Sequence, residues 1–257
     1  MLLVSSHPLT PSAILPPQRR SVRPAVSQRL IRGMEEHVAG SVITWPLDEL
    51  LRRLADPGDP SGSGLLAAVT LAGASAVARM VASLEMKRVQ QDQSRVRVLI
   101  EASQSFERLT TTFLQQADHD RVALARLLAA LRARRRSTGH QPVDSLQDAA
   151  MEATRVPLAT GDFGLELLRS LSVIAPLCSP FVASDLLAAG DLARAGIAAA
   201  IRMVLTNLPL VENSAASDLR VRAHAITEEA QALLIQLSAV LPSTETDEDE
   251  ANASSLA

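Results

Sequence analysis

From Leu65 to Ala78 the chain runs for fourteen residues without a charge, built almost wholly from Ala, Leu, Val and Gly, and the turn Gly62-Ser63-Gly64 stands directly before it. Small or apolar residues fall on nearly every side of a helix drawn through this run, so such a helix needs cover on most of its circumference. Arg79 ends the uncharged stretch short of the roughly 18 apolar residues that suggest a membrane span. The run therefore predicts a core helix, and a chain that contains one must surround it with other elements. The glycines before it suit a turn in which backbone comes close to another group.

What surrounds it is set by composition. Hydrophobic residues make up 47% of the 257 residues, enough for a sizeable core, yet aromatics are only 2%, with no Tyr and one Trp. Alanine, leucine and valine must then fill the interior, which favours closely packed helices, and no strand-like alternation of useful length occurs. A formal net charge of -3 gives no general attraction to polyanions, so neither nucleic acid nor a membrane surface is an expected partner. Cys178 is the single cysteine; it excludes an internal disulfide and a Cys/His zinc pattern, predicts no metal site, and fits a reducing, cytoplasmic setting.

Breakers and caps divide the chain into six predicted helices. The first runs from Pro46 to about Ala55, stopped by Asp56-Pro57-Gly58-Asp59-Pro60, and the core helix follows from Gly62 to about Val89. A third spans roughly Ser94 to Arg135. The fourth begins near Asp144 and reaches about Ile174, with a kink or break expected at Arg155-Val156 ahead of Pro157. Pro176 and Pro180 separate it from a fifth, whose start is placed at Ser184-Asp185, and the sixth opens at Asn213 or Ser214.

Residues 1–43 are expected to be disordered or leader-like: the first 33 hold five Pro, five Arg and no acidic residue, and Met34 offers an alternative start. Residues 44–240 form the helical domain. Residues 241–257, with five acidic residues between Thr244 and Glu250, are expected to be a solvated acidic tail. The segments Leu65–Leu84 and Leu186–Leu205 are small or apolar around most of their circumference, which leaves more apolar surface than one copy can cover and predicts a homodimer.

Four separated blocks, Ser61-Gly62-Ser63-Gly64-Leu65-Leu66-Ala67-Ala68 leading to Met80-Val81-Ala82-Ser83-Leu84-Glu85, Asp120-Arg121-Val122-Ala123-Leu124, Glu152-Ala153-Thr154-Arg155-Val156-Pro157-Leu158, and Ser184-Asp185 through Met203-Val204-Leu205-Thr206-Asn207-Leu208, stand in one order on this chain. In that order they resemble the cyclodeaminase/cyclohydrolase proteins of folate metabolism, over about residues 46 to 238. The resemblance implies an all-α, antiparallel bundle of about six helices, paired as a homodimer. It also implies a reduced folate as ligand or substrate, chemistry at the 5,10-methenyl bridge, and no metal or further cofactor. The alternative is a non-catalytic homologue that keeps the fold as an interaction or ligand-binding protein.

By that resemblance Asp120 and Asp185 are the candidate catalytic carboxylates, while Gly62, Ser63, Gly64, Lys87, Arg88 and Asn207 are the candidate folate-binding residues. Each also has a plainer reading. Asp120, flanked by Asp118 and His119, is either a carboxylate raised by like-charge repulsion or part of an exposed helical turn. Asp185 also suits a helix cap, Asn207 a helix terminus, and Gly62 and Gly64 a tight turn with no phosphate-loop sequence after it. Arg132 to Arg136 complement a helix C-terminus without any ligand, and Cys178 is expected to be inert. This chain departs from the family pattern at Leu65 in place of a serine, Ser63 in place of a glycine, Ser83 and Met203 in place of asparagines, and Leu187 in place of a glycine. Leucine or methionine at a ligand-facing position would leave a ligand group unpaired.

Overall fold

The computed structural model describes residues 40–136 and 143–241, and every regular element among them is helical. Six α-helices follow in order: α1 Leu47–Ala55, α2 Ser63–Arg88, α3 Gln93–Arg136, α4 Val143–Ile174, α5 Pro180–Asn207 and α6 Asn213–Val240. Short 3-10 turns lie at Val42–Thr44, Ala175–Leu177 and Leu208–Leu210. The all-helical class and the number of helices expected from the sequence are those observed.

The uncharged run forms the middle of the bundle. Helix α2 lies between α3 and α5 and is antiparallel to both: Ser75 Oγ donates to the Phe106 carbonyl at 2.9 Å on one side, while Ser63 meets Met203 and Glu85 meets Ser179 on the other. By length and composition α2 could cross a membrane, but more than half of that stretch is buried inside the bundle. Small residues make this possible. A Cβ on Gly196 of α5 would stand 2.7 Å from Leu71 Cγ and 3.1 Å from the Ala67 carbonyl, so the two helices approach at a distance that only glycine permits. Helix α4 packs on α3 and α5, and α6 closes the far side against α4 and α5.

Two helix boundaries differ from the sequence reading, each for an identifiable reason. Helix α4 does not break at Arg155-Val156 but runs through Pro157. Proline lacks the N–H that would bond the carbonyl four residues back, which is that of Ala153. Asn207, the last residue of α5, supplies the missing donor: its Nδ2 lies 2.8 Å from the Ala153 oxygen. Helix α5 starts at Pro180 rather than at Ser184-Asp185, with Ser179 in extended conformation before it. Proline at the first helical position has its fixed φ already suited to the helix and loses no hydrogen bond there, so Pro180 opens the helix instead of separating two.

The folded body also begins before residue 44. The Asp118 carboxylate of α3 accepts from the Val42 N–H at 2.8 Å and from Ser41 Oγ, and Arg121 Nη1 donates to the Gly40 carbonyl at 3.0 Å. The Trp45 ring sits between two guanidinium groups, 4.4 Å from Arg53 and 4.2 Å from Arg121. Residues 40–60 thus strap the first turn of α2 to the middle of α3. The leader-like segment before residue 40 and the acidic tail after Leu241 lie outside the described residues.

Candidate functional site

The turn that opens α2 is built by its own side chains. Asp59, held by Arg53 at 3.1 Å, accepts from the Ser61 N–H at 2.9 Å and from Ser61 Oγ. The chain then passes through Gly62 in extended conformation (φ -122°, ψ -169°) into the helix. Glycine offers no side-chain cap, so the first N–H groups of α2 must find acceptors elsewhere. The Leu65 N–H finds the carboxylate of Asp120, projecting from α3.

Asp120 comes close enough to do this because residue 64 has no side chain. A Cβ on Gly64 would lie 2.6 Å from Asp120 Cγ and 2.7 Å from Oδ2, inside any real contact. Gly62 is also tight, its Cβ position 3.2 Å from Leu124 one turn further along α3. The glycine turn and Asp120, far apart in the sequence, are one structure. Burial pushes the Asp120 carboxyl up to about 6, against the Leu65 N–H, which favours the ionised form. The like-charge cause expected from the sequence is not the operative one. Asp118 is two residues away, about 200° around the helix, and is engaged by the strap; His119 is exposed.

Ser63 and Met203 stand at the mouth of this turn, Ser63 exposed with its Oγ 3.0 Å from the sulfur of half-buried Met203. Leu65, which on the sequence pattern would obstruct a ligand, does not face the same way. Its side chain is fully buried among Val42, Leu50, Ala68 and Ala117 under the strap, and only its N–H reaches Asp120. Asn207 lies one turn beyond Met203, but its amide is committed to Ala153.

The remaining candidates lie elsewhere. Asp185 is exposed on the second turn of α5, about 27 Å along that helix from Met203 at 1.5 Å per residue, so it neither caps α5 nor converges with Asp120. Lys87 and Arg88 occupy the last turn of α2, about 35 Å from Gly64 on the same measure. Arg88 is held there by Glu85 and by the Leu177 carbonyl, 2.9 Å away. Within one chain the structure joins Gly62, Ser63 and Gly64 to Asp120 and does not join Asp185, Lys87 or Arg88 to them.

Glu85 was not singled out from the sequence. Its carboxylate is buried and accepts from the Ser179 N–H at 3.1 Å, from Ser179 Oγ and from Arg88, so that it serves the N-terminus of α5. Burial works to raise its pKa, but those hydrogen bonds and the Arg88 charge outweigh it and hold the carboxyl below its ordinary value. A charged residue on the buried side of an apolar helix was the available signal. Burial, with Glu85 close by, pushes the Cys178 thiol up to about 12, the inert state expected of it. No cluster of three metal-ligating side chains occurs among the described residues.

A carboxyl that titrates near neutrality at the N-terminal turn of a helix can both take and return a proton next to free backbone donors. Residues 46–226 match the family described as Formiminotransferase-cyclodeaminase. Among solved structures the fold is similar to the formiminotetrahydrofolate cyclodeaminase of Thermotoga maritima, with a TM-score of 0.70 and 22% identity over 78% of this chain and 97% of that one. No curated protein sequence matches the chain. With the family pattern spanning most of its length and a helical frame of the same shape, the chain belongs to the formiminotransferase-cyclodeaminase family.

Proposed function

We propose that this protein is a folate one-carbon enzyme acting at the 5,10-methenyl bridge, a cytoplasmic homodimer of the formiminotetrahydrofolate cyclodeaminase or methenyltetrahydrofolate cyclohydrolase type. The observation that carries the proposal is the Asp120 carboxyl seated over Gly64 with its pKa raised to about 6. In cyclodeamination N10 of the folate attacks the carbon of the N5 formimino group, the ring closes, and ammonia leaves. N10 must lose a proton as it attacks and the departing nitrogen must gain one, and a single carboxyl near neutrality can serve both transfers. In cyclohydrolysis the same group would take the proton of the water that adds to the methenyl carbon. The Gly62–Gly64 backbone and the Ser63 hydroxyl supply polar contacts beside it, and neither reaction calls for a metal.

The proposal rests on Asp120 and the glycine turn: within one chain Asp185 stands apart from them on α5, the Asn207 amide bonds the Ala153 carbonyl, and the Leu65 side chain is buried away from the turn. Met203 counts against it: a thioether stands at the mouth where the family has an amide, which favours, as a second reading, a homologue that binds a different ligand or none. Purified protein incubated with 5,10-methenyltetrahydrofolate decides between them through the decay of the methenyl absorbance. Decay above the spontaneous rate in wild type, lost in Asp120→Asn, supports the enzyme. Neither decay nor binding, tested also with the formimino substrate for ammonia release, retires it.

A further inference from the structure

Two positions at which this chain departs from the family pattern touch each other. Ser63 stands where the family has a glycine and Met203 where it has an asparagine. The Ser63 hydroxyl donates to the Met203 sulfur at 3.0 Å across the mouth of the glycine turn, next to Gly64 and the Asp120 carboxyl. Among the described methionines Met203 is set apart by this contact. Met86 and Met151 are packed against the main apolar core and Met80 is exposed on α2, whereas Met203 is half-buried with a polar donor fixed on its sulfur. A methionine that only fills a gap between helices needs no such donor, since a thioether is a weak acceptor.

We infer that Met203 is an oxidation site that takes one oxygen from a hydroperoxide, and that its sulfoxide latches Ser63 and closes the candidate site. A sulfur lone pair attacks the nearer oxygen of hydrogen peroxide, and the S–O bond forms as the O–O bond breaks. The departing hydroxide takes the proton of the transferred oxygen and leaves as water; sulfur gives up two electrons and the peroxide gains them. At an exposed sulfur, water donates a hydrogen bond to the departing oxygen. At Met203 the Ser63 hydroxyl is already in place to do so. Cys178 does not compete, because burial pushes its thiol up to about 12 and the thiolate is the form that reacts. The product changes what the mouth can do. The hydroxyl that a thioether holds loosely, and yields to a ligand, is held by the sulfoxide oxygen in a full hydrogen bond. That bond ties the first turn of α2 to the C-terminal part of α5, over the Leu65 N–H from which Asp120 accepts. A ligand must break it to reach the carboxyl. Sulfoxide reductases return the thioether, so the closure is reversible.

The identity of the ligand rests on the proposed folate reading, but the oxidation and the latch do not, and the experiment separates them. Wild type and Ser63→Ala are treated with hydrogen peroxide, and sulfoxide at each methionine is followed by peptide mass spectrometry, with Met80 as the exposed reference. Met203, though half-buried, should oxidise within about threefold of the Met80 rate. Ser63→Ala should slow it about fivefold, the rate equivalent of one hydrogen bond, and leave Met80 unchanged. Oxidation of Met203 as slow as that of Met86 and Met151, or undiminished without the hydroxyl, overturns the site. For the latch, exchange of the Leu65 amide, read by NMR, should slow on oxidation of wild type but not of Met203→Leu, a side chain of similar volume. Unchanged exchange in oxidised wild type overturns the latch. Where wild type turns over 5,10-methenyltetrahydrofolate, oxidation should remove most of that turnover, a sulfoxide reductase should restore it, and Met203→Leu should not respond to either. Turnover that survives complete oxidation of Met203 overturns the closure. A wild type with no turnover at all retires the folate reading, and the oxidation rates and amide exchange still decide this one.

Discussion

Asp120 takes the place of the side-chain cap that Gly62 cannot provide, and it does so at the cost of being half-buried. Its pKa rises from an ordinary 3.8 to about 6 on folding, so the native state binds a proton more tightly than the unfolded chain. The stability this contributes is complete below about pH 4 and is lost as pH rises through about 6. Asparagine mimics the protonated form. The stability of Asp120→Asn relative to wild type should therefore grow between pH 4 and pH 7, by on the order of 1–3 kcal/mol, read as denaturant midpoints across that range. A difference that does not vary with pH would mean that the carboxyl is not buried in this way. Gly64→Ala is the complementary change: its Cβ needs the space the carboxyl occupies, so it should cost about 1–3 kcal/mol and abolish any turnover by displacing Asp120. Wild-type turnover in that variant would remove Asp120 from the chemistry. The turn and Asp120 were both legible in the sequence as separate blocks. That one sits on the other was not, because only the antiparallel packing of α2 on α3 brings residues 64 and 120 together.

Among the helices, length and type were legible from periodicity and breakers, and the errors fell where a proline has two meanings. A proline read locally stops a helix, but Pro180 sits where an N–H is not needed, and Pro157 sits where another helix makes good the loss. Neither fact is local. Asn207 shows how far the information was spread: its role is set by a proline fifty residues earlier in a different helix. A double-mutant cycle isolates this. Asn207→Ala should cost about 1–2 kcal/mol by leaving the Ala153 carbonyl without its donor, measured by chemical denaturation. In a Pro157→Ala background the backbone N–H is restored, and the same change should cost close to nothing. Equal costs in both backgrounds would show that Asn207 matters for another reason, a ligand contact among them.

At the scale of the whole molecule, helices α2 to α6 share one core. The strap of residues 40–60, which includes α1, is fastened by polar groups and by a smaller, separate apolar cluster in which Val42, Trp45, Leu50 and Leu54 pack on Leu65, Ala68 and Ala117. It covers the first turn of α2 from behind: Leu65 is buried under Val42 and Leu50 while its N–H holds Asp120 on the other side. Loosening the strap should thus loosen the candidate site without melting the bundle. Trp45 is the chain's single tryptophan, so its fluorescence reports the strap while far-ultraviolet circular dichroism reports the helices. Asp118→Ala removes the acceptor of the Val42 N–H and of Ser41 Oγ and should cost about 1–3 kcal/mol, the loss of hydrogen bonds to a charged group. In wild type the two signals should change together as denaturant is raised, one cooperative unit. In Asp118→Ala the fluorescence transition should come first, with Trp45 emission already shifted to the red and open to a quencher before helix content falls. Coincident transitions in the variant would mean that the Val42–Leu50 apolar cluster and the two guanidinium groups around Trp45 hold the strap without Asp118.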